Sequence, residues 1–306
     1  MNGRRCTSVW PVAQQPARFQ RHGRYLPDST AHPGKMLPAL ARQAIRSYSE
    51  PGDLVLDPMC GIGTTLVEAV QLGRRAVGVE LERRWAALAA ANLTLAREQG
   101  ATGRGLALQG DARQLARGLL DELAGQARLI LTSPPYGNSL HGQVRADATG
   151  VDKYDDRYSH NPDNIAELPA RRGRAGRSSF TDALAEVLAG CQRMLAPDGL
   201  LVLTARPYRQ HGELIDLPGQ LEALAPPAGL EPFDRLVALL CALHGQQLVP
   251  RASFFQLRHQ RAGTTPRMLL IAHEDVLVFR KTRNPLSSQK VNSGDVALRR
   301  MRPRSN

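Results

Sequence analysis

The sequence predicts an α/β domain with a mostly parallel sheet and helices on both faces. Three observations carry this. Short apolar runs alternate with segments of helical periodicity from residue 54 to residue 203. Turns rich in Gly and Pro separate these units, and a polar residue follows the end of each of four consecutive strands. Alternating β and α units build a parallel sheet, because each crossover returns through a helix.

Taken in order, residues 1–35 are polar and poorly periodic and read as an arm lying over the core. Apolar residues at 36, 37, 40, 41, 44 and 45 have helical spacing. Pro51-Gly52-Asp53 turns into a strand, Leu54-Val55-Leu56. A helix from about Thr64 to Leu72 then ends at Gly73, where a C-terminal cap is expected. Ala76–Glu80 is the second strand, Arg83 to about Gln99 an Ala-rich helix ended by Gly100, and Gly105–Leu108 the third strand. A helix near 113–124 leads to a fourth strand at 128–132. Phe180–Leu195 is helical, and Leu200–Leu203 is the fifth strand. Helices are expected at Leu217–Leu224 and Pro232–Leu243, and strands at Ala252–Leu257 and Asp275–Phe279. Residues 137–179 are charged and rich in Gly and Pro. A 43-residue stretch without secondary structure inside a domain suggests a lid or substrate loop. Arg171, Arg172, Arg174 and Arg177 cluster near its end. The division is a 1–31 arm, a 32–281 domain with 137–179 inserted, and a basic flexible 282–306 tail.

A chain of 306 residues can bury a large core, and no apolar run is long enough for a membrane helix. There is no apolar stretch typical of a secretory signal near Met1. The four cysteines, Cys6, Cys60, Cys191 and Cys241, form no C-x-x-C pair, so reduced thiols in a cytoplasmic protein and no metal site are expected. Net charge is +12. Residues 280–306 hold eight Lys or Arg against one acid, and the first 24 residues hold five Arg and no acid. Such ends suit a polyphosphate backbone; a solubilising tail is the plainer reading.

Two motifs carry the chemistry. Asp57-Pro58-Met59-Cys60-Gly61-Ile62-Gly63-Thr64-Thr65 follows the first strand, and Ser133-Pro134-Pro135-Tyr136 follows the fourth, 76 residues after Asp57. In open α/β sheets, ligands lie beyond the carboxyl ends of the strands. Asp57, Glu80, Asp111 and Ser133 all fall there. Gly61 and Gly63 let backbone approach a ligand closely, and the helix beginning at Thr64 favours a carboxylate at its N-terminus. Asp57 suits a ligand ammonium, Glu80 a pair of ribose hydroxyls, Asp111 an adenine amino group, and the Ala112 N–H a ring nitrogen. Together they describe S-adenosylmethionine. A dinucleotide site is the rival, but the loop is G-x-G-T-T, not G-x-G-x-x-G, and Asp57 would repel a diphosphate. In Ser133–Tyr136, the Ser133 hydroxyl and Pro134 carbonyl can accept from an exocyclic N–H pair and expose the nitrogen lone pair. The prolines fix the backbone, and Tyr136 offers a ring to stack on. Orientation then carries most of the catalysis. C5-cytosine chemistry is disfavoured, because the chain has no Pro-Cys pair.

These motifs resemble the N4/N6 DNA methylase family over residues 32–206, and more weakly to about 281. The resemblance implies the class I methyltransferase fold, Rossmann-like, with a seven-stranded sheet closed by an antiparallel strand pair. His32-Pro33-Gly34-Lys35 is similar to the segment that family places before its cofactor motif, which implies a cofactor role for His32 and Lys35. Thr132–Tyr136 has the form common among N4-cytosine enzymes. The motif order differs from that of many such enzymes, and no large target-recognition segment is present. The sequence also resembles the tRNA guanine-N2 methyltransferases, which usually have Asp at the position of Ser133. The expected function is methylation of DNA at cytosine N4, or adenine N6, on a flipped or single-stranded base. The alternatives are an RNA guanine-N2 methyltransferase, a non-catalytic nucleic-acid-binding protein and a small-molecule N-methyltransferase.

Overall fold

The computed structural model describes residues 7–136, 143–147, 150–154, 161, 163–169, 178–210, 213–251 and 269–282. In chain order its elements are β1 (Val9–Trp10), α1 (Ala17–Arg21), α2 (Pro38–Tyr48), β2 (Leu54–Asp57), α3 (Thr64–Gln71), β3 (Arg75–Glu80), α4 (Arg83–Glu98), β4 (Arg104–Gln109) and β5 (Ala127–Thr132). These are followed by β6 (Gln143–Asp147), β7 (Gly150–Tyr154), α5 (Phe180–Met194), β8 (Leu195–Ala205), β9 (Tyr208–Gln210), β10 (Glu213–Ile215) and α6 (Leu217–Leu224). The chain then forms β11 (Leu230–Leu239), β12 (Cys241–His244), β13 (Gln247–Pro250) and β14 (His273–Lys281).

The main sheet has the order β1-β11-β14-β8-β5-β2-β3-β4. Strands β4, β3, β2, β5 and β8 run parallel, and β14 lies antiparallel between β8 and β11. Apart from β1, that order is the class I methyltransferase arrangement. Strand order reverses between β2 and β5, so the ends of those two strands are where a ligand site belongs.

Side chains alternate across the sheet because successive Cβ atoms point to opposite faces. Val55, Leu129, Leu131, Val202, Val276 and Val278 pack on one side with α2, α3 and α4. Leu54, Leu56, Ile130, Leu201, Leu203 and Phe279 pack on the other with α5 and α6. Both faces are buried, which is why these strands read as continuous apolar runs. Helix α5 starts at a capping box in which the Ser179 and Asp182 side chains each accept the other residue's backbone N–H.

The fold class expected from the sequence is present, with corrections. The sheet has eight strands, not seven, because Val9–Trp10 pairs in parallel with Val237–Ala238. Segment Pro232–Leu243, expected as a helix, is strand throughout β11 and into β12. There Leu236 and Ala238 turn inward at a spacing of two, and pairing with β14 outweighs the helix propensity of a Leu- and Ala-rich run. The partner of β14 is therefore β11; the strand expected at Ala252–Leu257 lies outside the described residues. The helix expected near 113–124 is two short 3₁₀ turns, Ala112–Arg117 and Asp121–Leu123. Gly118 and Leu120 between them have positive φ, which no α-helix accommodates. Segment 137–179 contains a hairpin of β6 and β7 and a 3₁₀ turn, Ile165–Glu167. Its Arg171, Arg172, Arg174 and Arg177 lie outside the described residues, as does the tail beyond Thr282.

The N-terminal segment is fastened through one buried acid. Glu68 of α3 is fully buried, and its carboxylate accepts from Tyr25 Oη, Arg24 Nη2 and Arg42 Nε, each at 2.9 Å. Two cations, 30% and 33% exposed, and a hydroxyl compensate its desolvation. Arg21 is buried beside them and donates to Thr64 Oγ1 and the Met36 carbonyl. Glu68→Gln removes the charge from the contacts with Arg24, Tyr25 and Arg42 and is expected to destabilise the fold by about 2 kcal/mol. Urea unfolding checks this; an unchanged midpoint would mean the network contributes nothing net.

Candidate active site

Strand β2 delivers Asp57 to the reversal point, and the chain then turns through Pro58–Gly63 into α3. Gly61 (φ 53°) and Gly63 (φ 80°) are left-handed, a conformation only glycine adopts freely. A Cβ on Gly61 would lie 3.0 Å from His32 Nε2, and one on Gly63 would lie 3.0 Å from Ala89 Cβ in α4. Both glycines thus let two parts of the chain approach each other. The loop is closed by Cys60 N–H donating to the Val79 carbonyl (2.9 Å) and Gly61 N–H donating to Glu80 Oε2 (2.9 Å).

A cavity of about 270 Å³ opens at this point. Nine of the residues singled out from the sequence line it: His32, Lys35, Asp57, Gly61, Thr64, Ser133, Pro134, Pro135 and Tyr136. Strand β5 brings the last four to within one cavity of the glycine loop. Five others do not reach its wall. Pro58 and Gly63 belong to the loop itself, and Gly63 packs against Ala89 of α4. Glu80 accepts from Gly61 and Glu82 N–H groups, so its two oxygens brace the loop (2.9 Å each). Asp111 accepts from the Arg113 backbone and guanidinium (2.9 and 2.8 Å), and Arg113 reaches on to Asp163. Ala112 is buried beside that pair.

Sequence reasoning missed Arg206, Glu274 and Leu240, which complete the wall. Arg206 N–H donates to Tyr136 Oη (3.1 Å), and the Tyr208 ring meets the Tyr136 ring edge-on at 5.7 Å. Tyr136 is therefore fixed at both its hydroxyl and its ring. Only Arg206, immediately beyond the apolar run of β8, carried a positional signal: it follows a strand end, as Asp57 and Ser133 do.

Around Asp57 the electrostatics favour a positive group, while Lys35 and Arg206 lie elsewhere in the same wall. Asp57 is 3% exposed; burial pushes its carboxyl up to about 6, while Thr65, Thr132 and the Met59 N–H partly offset the shift. Burial likewise pushes Glu80 up to about 7, against the pull of the Glu82 and Gly61 N–H groups. Asp57, which lines the cavity and is held short of full ionisation, is a natural receptor for a positive group, which stabilises its charged form. His32 is pushed down to about 3, by burial first and by Lys35 and Arg21 next, so it is a neutral ring against Gly61. Lys35 falls to about 8 through burial and Arg21, and its Nζ donates to the Thr30 carbonyl at 3.0 Å and to that of His32. The donor set therefore fits an amino acid ligand at Asp57 and the start of α3.

Residues 1–91 match the N6/N4 DNA methylase family model. The motif resemblance is thus shown over the segment that holds His32–Lys35, Asp57–Thr65 and Glu80. The tRNA (guanine(10)-N2)-dimethyltransferase of Methanocaldococcus jannaschii is 34% identical over 110 residues, which is 35% of this chain and 30% of that protein. The Type II methyltransferase M1.MboII of Moraxella bovis is 35% identical over 80 residues, covering 26% of this chain and 30% of that one. The chain thus aligns with about a third of the length of these relatives. Among solved structures, TrmN from Thermus thermophilus is similar with a TM-score of 0.46 at 18% identity, covering 86% of this chain and 53% of that one.

The two raised carboxyls make stability depend on pH. Their folded forms hold protons that the unfolded chain releases, so their contribution falls as pH rises from about 4 to about 7 and is level above that. Asp57→Asn removes the first of these titrations. The stability of the wild type minus that of the variant is expected to decrease between pH 4 and pH 6.5 in ligand-free protein. Denaturant titrations at several pH values check it; a constant or rising difference would contradict the burial of an ionisable Asp57.

Proposed function

We propose that the protein is an S-adenosylmethionine-dependent methyltransferase that acts on an exocyclic amino group of a nucleic-acid base, with cytosine N4 of DNA as the preferred target and adenine N6 next. The observation that carries this reading is the single cavity shared by Asp57 with the glycine loop and by Ser133–Tyr136. The DNA methylase match over residues 1–91 supports it. When bound, S-adenosylmethionine supplies the electrophilic methyl group. Asp57 and the start of α3 hold the amino acid end, with His32 and Lys35 closing over it. Ser133 Oγ and the Pro134 carbonyl take the two N–H groups of the target amine. The amine nitrogen is thereby turned so that its lone pair, not its conjugated plane, faces the methyl. Tyr136, anchored by Arg206 and Tyr208, sets the plane of the base. A target inside a duplex must be flipped out to reach this depth.

Methylation of guanine N2 in RNA is the second reading, favoured by the similarity to tRNA (guanine(10)-N2)-dimethyltransferases, one from Methanothermobacter thermautotrophicus at 38% identity over 109 residues. Label from tritiated S-adenosylmethionine, offered DNA and bulk tRNA and followed by identification of the modified nucleoside, separates the two. N4-methylcytosine in DNA is expected; N2-methylguanine confined to RNA would replace the first reading with the second. Ser133→Ala is expected to lower turnover roughly 100-fold, since it removes one acceptor from the reacting nitrogen, while cofactor affinity stays within about twofold. Full turnover in that variant would remove Ser133 from the chemistry.

A further inference from the structure

A second concavity of about 410 Å³ adjoins the catalytic cavity. Leu37 and Leu240 line both, so the two form one continuous depression. Its walls are the N-terminal segment around Pro16 and Arg18 on one side and the end of the β12–β13 hairpin, Pro250 and Arg251, on the other. The lining contains two cations and no acid. Among the described residues, no carboxylate pairs with Arg18 or Arg251. Arg251 is held in place by the Ala13 and Gln14 carbonyls, which accept from its Nε and Nη2. Arg18 lies over one face of the Phe19 ring, 4.8 Å from its centroid, and Phe19 as a residue is 57% exposed. The hairpin adds Leu243 and Leu248, which pair across its two strands and are about half exposed.

We propose that this groove binds the single-stranded polynucleotide flanking the target base. This rests on the reading of the cavity as a site for a nucleic-acid base. A base lodged against Ser133–Tyr136 leaves its neighbours at the cavity mouth, and the groove is the depression that the mouth opens into. Arg18 and Arg251 meet phosphates, and Phe19 offers a stacking face for a base. Phe19 lies beside the lining residue Arg18 and not in the lining itself, and cations along a groove with an exposed aromatic next to them suit sequence-tolerant single-strand binding. A groove that docked an acidic peptide would need the cations alone; the exposed aromatic beside them favours bases.

The test uses the full chain with a fluorescein-labelled, mixed-sequence 12-mer, as DNA and as RNA, read by anisotropy across a salt series. Arg18→Glu and Phe19→Ala are both at exposed positions, so folding is preserved; a thermal melt and cofactor binding confirm it. Together they are expected to weaken 12-mer binding about tenfold, with Arg18→Glu flattening the salt dependence by the equivalent of about one phosphate contact. The DNA and RNA arms show which polynucleotide the groove takes. Wild-type binding that neither variant alters would overturn the groove assignment and leave the catalytic reading standing. Absence of binding by the wild type to either polynucleotide would overturn both.

Discussion

The burial of two carboxylates around one glycine loop is the constraint on which the rest of the site depends. Asp57 and Glu80 sit at the ends of neighbouring parallel strands and are nearly without solvent. Each is pushed toward its neutral form, and each is used: Glu80 to hold the Gly61 and Glu82 amides, Asp57 to face the cavity. Holding two acids in a core without a counter-charge is costly even when each accepts hydrogen bonds. A cationic ligand offsets that cost by supplying the missing charge. The left-handed glycines bring the same loop against His32 at Gly61 and onto α4 at Gly63.

The N-terminal segment completes the same design from outside the parallel core. Glu68 of α3 ties Arg24, Tyr25 and Arg42 to the helix that starts at the glycine loop. Arg21 reaches Thr64 at the first turn of that helix and Met36 at the cavity wall. The segment that covers the cavity is thereby anchored to the element that forms its floor. Trp10 fixes its far end by adding β1 to the sheet beside β11.

What was legible in the sequence was local or periodic. Val55, Leu129 and Val202 lie in short apolar runs bounded by turns, and the polar residues after them mark strand ends. What was hidden was long-range. Nothing near Val9 or Trp10 announces a partner more than 200 residues away. Leu236 and Ala238 sit in a run whose Leu and Ala content favours a helix, and only pairing with β14 decides otherwise. Glu274 joins the cavity because β14 lies beside β8, a neighbour relation that topology alone supplies. Asp111 reads as a strand-end acid, but its capture by Arg113 two residues on is a side-chain event with no periodic trace.

Titration calorimetry of S-adenosylmethionine binding at pH 6, repeated in buffers of different ionisation enthalpy, tests the central claim most directly. A cationic ligand that draws Asp57 into its charged form must release protons on binding, so the measured heat should vary with the buffer, and vary less in Asp57→Asn. Binding with a heat independent of buffer, or with proton uptake, would contradict the account.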